Sequence, residues 1–210
     1  ASANIKDAGL VLYSPEGAPS ENIQSVLSAA DRVSVYTIIS GYETIIETPI
    51  TVNNQLVILG FEAALCGAEF DGEWNVSAGA LTAGPLFTVN TGGSLSIQAL
   101  TLKGSGTSQS VANPLVRIHG GTVSLSTQTK LFENKSQNNG GAIEMLSGSL
   151  TMDGGSTIQY CSANNGGGIY MTSGTVSITG ASRLTSCTAT NAGAALWVGR
   201  GNVIIDSVPS

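Results

Sequence analysis

Gly140-Gly-Ala-Ile-Glu-Met-Leu-Ser-Gly-Ser-Leu-Thr-Met152 returns about 26 residues later as Gly166-Gly-Gly-Ile-Tyr-Met-Thr-Ser-Gly-Thr-Val-Ser-Ile178. A third copy, Ala194-Ala-Leu-Trp-Val-Gly-Arg-Gly-Asn-Val-Ile-Ile205, aligns after one inserted residue. An earlier one is Pro114-Leu-Val-Arg-Ile-His-Gly-Gly-Thr-Val-Ser-Leu125, and Leu86–Ile97 is looser still. Each copy holds two short stretches of apolar/polar alternation separated by Gly. Period-2 alternation marks half-buried strands. Val116 and Ile118, Ile143 and Met145, Ile169 and Met171, and Leu196 and Val198 share one face. Val123 and Leu125, Leu150 and Met152, Val176 and Ile178, and Val203 and Ile205 share a second. A third short strand follows at Leu131-Phe132, Ile158–Tyr160 and Leu184-Thr185.

Three strands in so short a repeat, joined by Gly turns, predict one rung of a coil. Each strand can pair only with its equivalents in neighbouring rungs, which stacks the rungs into parallel sheets around one core. The predicted fold is all-β: a right-handed single-stranded parallel β-helix, three strands per rung. β-branched residues and recurrent Gly argue against helix here, and a propeller blade needs a longer repeat of four antiparallel strands. Asn139, Asn165 and Asn191 recur just before the Gly140-Gly141 and Gly166-Gly167 pairs and Gly193. Asn and Gly both accept positive φ, so these residues are read as one corner repeated in every rung.

The beginning of the chain reads differently. Ile23, Val26, Leu27 and Ala30 fall at helical spacing behind Ser20, a candidate N-cap. Residues 1–32 are therefore expected to form an N-terminal cap with an amphipathic helix, because a solenoid must cover its open ends. Residues 33–210 are assigned to the β-helix, with strands at 33–39, 50–52 and 56–59, a longer loop within 61–84, and regular rungs from about Pro114. Little follows the strand Val203–Ile205, and an open parallel edge invites pairing, so the helix is expected to continue in a longer protein.

Charged residues are only 10% of the chain and hydrophobic ones 41%, so it folds, with a surface of hydroxyls and amides rather than ions. Eight basic residues scattered against 14 acidic ones make no cationic stripe for nucleic acid. No apolar run is long enough to span a bilayer, and the opening Ala1-Ser2-Ala3 has no leader pattern. The cysteines are Cys66, Cys161 and Cys187, and the only His is His119, which makes a zinc site unexpected. No cofactor is expected. Cys161 and Cys187 should stack on adjacent rungs about 4.8 Å apart. In-register side chains point the same way, which disfavours a disulfide torsion, so a reduced, buried ladder is expected.

Between the inward residues of the first strand lie Arg117, Glu144, Tyr170 and Trp197, one per rung. Their spacing puts them in a single outward column, and aromatic and Arg side chains suit contact with sugars or protein. They are the candidate ligand-binding residues, weighed against a merely decorated surface. An enzyme would need paired carboxylates. Asp153 and Asp206 come nearest to a column, but Thr179 occupies the rung between them. His119 is read as a surface or corner residue. The outward row Ser96, Ser124, Thr151 and Ser177 could suit ice, but Ile204 interrupts it.

Residues 132–198 resemble the repeats of chlamydial polymorphic outer membrane proteins, whose β-helical passengers carry paired GGA[ILV] and FxxN motifs. Gly140-Gly141-Ala142-Ile143 matches the first motif. Gly166-Gly167-Gly168-Ile169 and Ala192-Gly193-Ala194-Ala195 are degraded copies. At the second motif stand Phe132–Lys135, Ile158–Cys161 and Leu184–Cys187, without the terminal Asn. The helix-then-strands start is similar to the pectin-lyase-like superfamily. The resemblance implies an exported, surface-attached, adhesin-like protein, outer-membrane-attached if bacterial, with a host protein or glycan as partner. The functional expectation is thus a non-enzymatic, monomeric surface or secreted β-helix. The alternatives are a carbohydrate-active β-helix enzyme and an inert spacer.

Overall fold

The computed structural model describes residues 4–5, 10–13, 34–38, 44–46, 49–60, 73–76 and 78–206. Parallel strands stack turn upon turn into a β-solenoid. One turn shows the pattern. Ile143–Met152 lies in the first sheet and bends at Gly148; Thr157–Gln159 lies in the second sheet and Ser162–Asn165 in the third. In the next turn the bent strand is split into Ile169–Met171 and Thr175–Ile178, followed by Arg183–Thr185 and Thr188–Ala192.

The inward columns explain why these segments are strands. Ile50, Phe87, Val116, Ile143, Ile169 and Leu196 are aligned through six successive turns. Leu56, Leu95, Val123, Leu150, Val176 and Val203 form a parallel column after the Gly corner. Up to Val176 every member of both columns is buried. Leu102, Leu131 and Ile158 supply the third wall of the core. Alternation of apolar and polar residues thus puts each apolar side chain on its equivalent one turn away, about 4.8 Å along the axis.

Three expectations need correction. The strands foreseen at 131–132, 158–160 and 184–185 form, but with the bent strand they fill only two sheets. The third sheet is made of Ser110–Val111, Lys135–Ser136, Ser162–Asn165 and Thr188–Ala192, segments to which no strand was assigned. They carry few large apolar residues to signal an inward face; backbone bonding between turns makes them strands. Second, registered turns begin well before Pro114, since Ile50–Val52 and Phe87–Asn90 already align with Val116. Third, the segment 61–84 is not simply a loop. Glu73–Val76 is a strand of the second sheet, and Ala78–Ala83 is a short helix whose Ala80 and Leu81 are buried.

At the start, Leu10–Tyr13 pairs in parallel with Ser34–Ile38 and antiparallel with Asn4–Ile5, so the first sheet reaches into the segment expected to be the cap. The helix expected over residues 21–30 lies outside the described residues, as does Cys66.

The positive φ expected for Asn139, Asn165 and Asn191 at their corner is also corrected. Positive φ belongs to the following glycines, +71° at Gly140, +61° at Gly166 and +68° at Gly193, and to none of the three asparagines. A Cβ on Gly166 would collide with the backbone of Ile169 and Tyr170. Two of the asparagines bond to each other across adjacent turns there instead. Asn165 Nδ2 donates to Asn139 Oδ1 at 2.9 Å. Asn191 does not extend this pair, because Asn165 registers with Ala192 across a bulge. That bulge absorbs the one inserted residue of the last repeat.

Candidate functional site

The outward column on the first sheet forms as the spacing requires. Arg117 registers with Glu144, Glu144 with Tyr170, and Tyr170 with Trp197. Arg117, Glu144 and Tyr170 are each flanked by two buried inward residues, such as Ile143 and Met145 around Glu144, and this fixes their direction; Trp197 follows in register between the half-buried Leu196 and the exposed Val198. All four are half-buried.

Two contacts turn the column into a ladder. Arg117 Nε donates to Glu144 Oε2 at 2.7 Å, and a terminal guanidinium nitrogen also lies 2.7 Å from Oε2. The same terminal nitrogen donates to Asn113 Oδ1 at 3.5 Å. Tyr170 and Trp197 stack face to face, with ring centroids 4.4 Å apart and planes 9° from parallel. The Trp197 ring lies over Gly199, where a Cβ would come within 3.1 Å of it. The stacked pair directs ring edges outward, and one face of each ring is taken by its neighbour. The ladder can therefore offer aromatic edges, a hydroxyl, an indole N–H and one ion pair along a strip spanning four turns.

The carboxylates Asp153 and Asp206 do not converge either. Asp153 and Asp206 occupy the same place two turns apart, with Thr179 between them, as their backbone bonds to Leu125, Ile178 and Met152 show. Glu144 is held by Arg117. His119 is exposed, at a register shift next to the Gly120 corner. The hydroxyl row Ser96, Ser124, Thr151 and Ser177 is in register and ends on Ile204.

Cys161 and Cys187 stand at equivalent places in adjacent turns and are both free thiols. Cys161 Sγ donates to the Leu131 and Gln159 carbonyls, and Cys187 Sγ to those of Ile158 and Thr185. Burial pushes the Cys161 thiol up to about 12, partly offset by a hydrogen bond from the Asn134 backbone. Burial also raises Cys187, which is less deeply placed. Such thiols are poor nucleophiles.

The same column begins with a residue that sequence reasoning passed over. Asn134 is fully buried, one turn before Cys161. Its Nδ2 donates to the Gly141 carbonyl at 2.7 Å and the Asn113 carbonyl at 3.2 Å, and its Oδ1 accepts from Ser105 Oγ at 3.3 Å. It ties the turn before it to the turn after it. The signal was available: Asn134 takes the place of Cys161 and Cys187 in the repeat, and a polar residue in an inward column must find partners.

The third sheet carries the other surface feature missed in the sequence, a groove of about 510 Å³ crossing four turns. It lies where no strands were expected.

The fold and these surfaces together define a parallel β-solenoid with chemically decorated outer faces. Comparison of the chain with protein-family models, with curated proteins and with solved structures finds no match.

Proposed function

We propose that this protein is a non-enzymatic surface or secreted β-helix of adhesin-like type, which holds a glycan or protein ligand against the ladder Arg117, Glu144, Tyr170 and Trp197. The observation that carries the reading is the merging of these four side chains into one continuous strip. Aromatic and Arg side chains on a rigid sheet lose little freedom on binding, which favours affinity. The low charge supports an extracellular setting, where hydroxyls and amides cover repeat proteins. As parts of the same proposal, the coil is right-handed, the hand nearly all crossovers between parallel strands take. The chain belongs with repeats like those of the polymorphic outer membrane proteins, and it acts as a monomer.

The test is a glycan array together with a cell-adhesion assay on the whole chain and on Trp197→Ala and Tyr170→Ala. Binding that falls about tenfold or more in either variant is the expected result, the loss of one aromatic contact at an interface centre. Absence of binding in both assays would leave the molecule a spacer. A polysaccharide cleaved on incubation would establish the enzyme reading instead.

A further inference from the structure

The groove on the third sheet lies on a different face from the ladder, and its chemistry is different. Ser110, Lys135, Ser162 and Thr188 line up in one outward row, one residue per turn. Beside it, Asn164 Nδ2 donates to the Gln137 carbonyl at 2.6 Å, and Thr190 Oγ1 donates to Asn164 Oδ1 at 3.1 Å, forming a second polar row. Small residues fall between the rows, with Ala163 buried and Ala189 half-buried. Their side chains turn inward, so the result is a trough with polar walls and a floor of strand backbone, about 14 Å long at about 4.8 Å per turn.

Its charge is one-sided. The chain carries 14 acidic residues against 8 basic ones, yet no carboxylate lines the groove. Lys135 is the one charged residue in the lining, and it has no carboxylate partner among the described residues.

We propose that this groove is a binding site for an extended oligosaccharide bearing sparse negative charge, such as a chain with one carboxylate every second sugar. Three features select this ligand. Pyranose hydroxyls meet the donors and acceptors on both walls. The rows repeat at each turn, and an extended chain of pyranoses advances by nearly one turn per sugar. A single ammonium matches an isolated carboxylate, whereas a nucleic acid would need many cations. An extended peptide is a poorer fit. It rises about 3.3 Å per residue, out of step with the turns, and peptides that add to sheets use an edge, whereas this groove opens on a sheet face.

The proposal does not depend on the ladder, and its test separates the two. The probes are a hyaluronan hexasaccharide, a neutral chitohexaose and a Glu-rich hexapeptide, titrated against the whole chain by calorimetry and by amide-shift mapping. The hyaluronan fragment is expected to bind with shifts centred on Ser162 and Asn164, more weakly as salt rises. Lys135→Gln should weaken it about tenfold or more, the loss of one charge-assisted bond. Ser162→Leu, which puts a bulky apolar group in the outward row, should abolish it, with unchanged circular dichroism in both variants. Trp197→Ala should leave it unaltered. The proposal is overturned by no binding of the hyaluronan fragment at millimolar concentration, by an unchanged affinity in Lys135→Gln, by tighter binding of chitohexaose or the peptide, or by shifts that map to Tyr170 and Trp197.

Discussion

Cys161 shows how much a single inward position constrains. Its thiol is buried, and its Sγ faces main-chain carbonyls, so the neutral form is the one the fold tolerates. The folded-state value is raised, to about 12 from an ordinary thiol value near 9. Below about pH 9 both folded and unfolded thiols hold the proton, and the native state loses nothing. Above it the unfolded thiol ionises first and the folded one does not, so stability falls as pH rises from about 9 towards 12. Urea titrations at pH 8 and pH 10.5 should show this loss, and Cys161→Ala should show a smaller one. An identical pH slope in the two proteins would contradict the assignment. Asn134, one turn earlier in the same column, is the polar counterpart. It is tolerated in the core because three of its bonds are satisfied by backbone carbonyls and Ser105. The identities of these residues were readable in the repeat; their surroundings were not, because the inward direction of that column depends on the corner between the second and third sheets.

At the scale of the element, the corner between the two strands of the first sheet is the most demanding feature. Gly148, Gly174 and Gly201 occupy it in successive turns, with φ of +102°, +116° and +118°. These values lie beyond the left-handed well that Asn or Asp can enter. A Cβ on Gly174 would also meet the carbonyl oxygen of Gly148 in the turn below and the end of the Met145 side chain. Gly174→Ala should therefore lower unfolding stability by roughly 2 kcal/mol or more, the strain of one forbidden backbone conformation plus the contact. Thr172→Ala, exposed two residues away, should change it by less than about 0.5 kcal/mol. Denaturant midpoints of the two variants make the comparison. The Gly corner was legible as a break between two alternating stretches. The strands of the third sheet were not. Lys135-Ser136 is too short and polar to signal a strand and Thr188–Ala192 has no large apolar residue, and they become strands because neighbouring turns offer a backbone ladder at the right height.

At the scale of the whole molecule, each turn rests on its two neighbours, so the consequence of a core change depends on position along the axis. Ile178 and Ile205 are register partners in one inward column, 4% and 68% exposed. Ile178→Lys would bury an unpaired charge between two turns and is expected to unfold the adjacent part of the solenoid. Ile205→Lys keeps its ammonium in water and should leave the thermal midpoint within a few degrees of the parent. Equal losses would show that the coil melts as one cooperative unit. The columns themselves, the turn length and the outward strip Arg117, Glu144, Tyr170 and Trp197 were determined by the sequence alone, because period-2 alternation and a fixed repeat leave a stacked strand only one choice of face. Tertiary structure alone decided the rest: the third sheet and its groove, the slip that strands Asn191, the mutual stacking that turns aromatic faces into edges, and the burial of Asn134. These depend on the height and rotation of one turn over the next, which is set by inter-turn hydrogen bonds and packing. No single repeat carries that information.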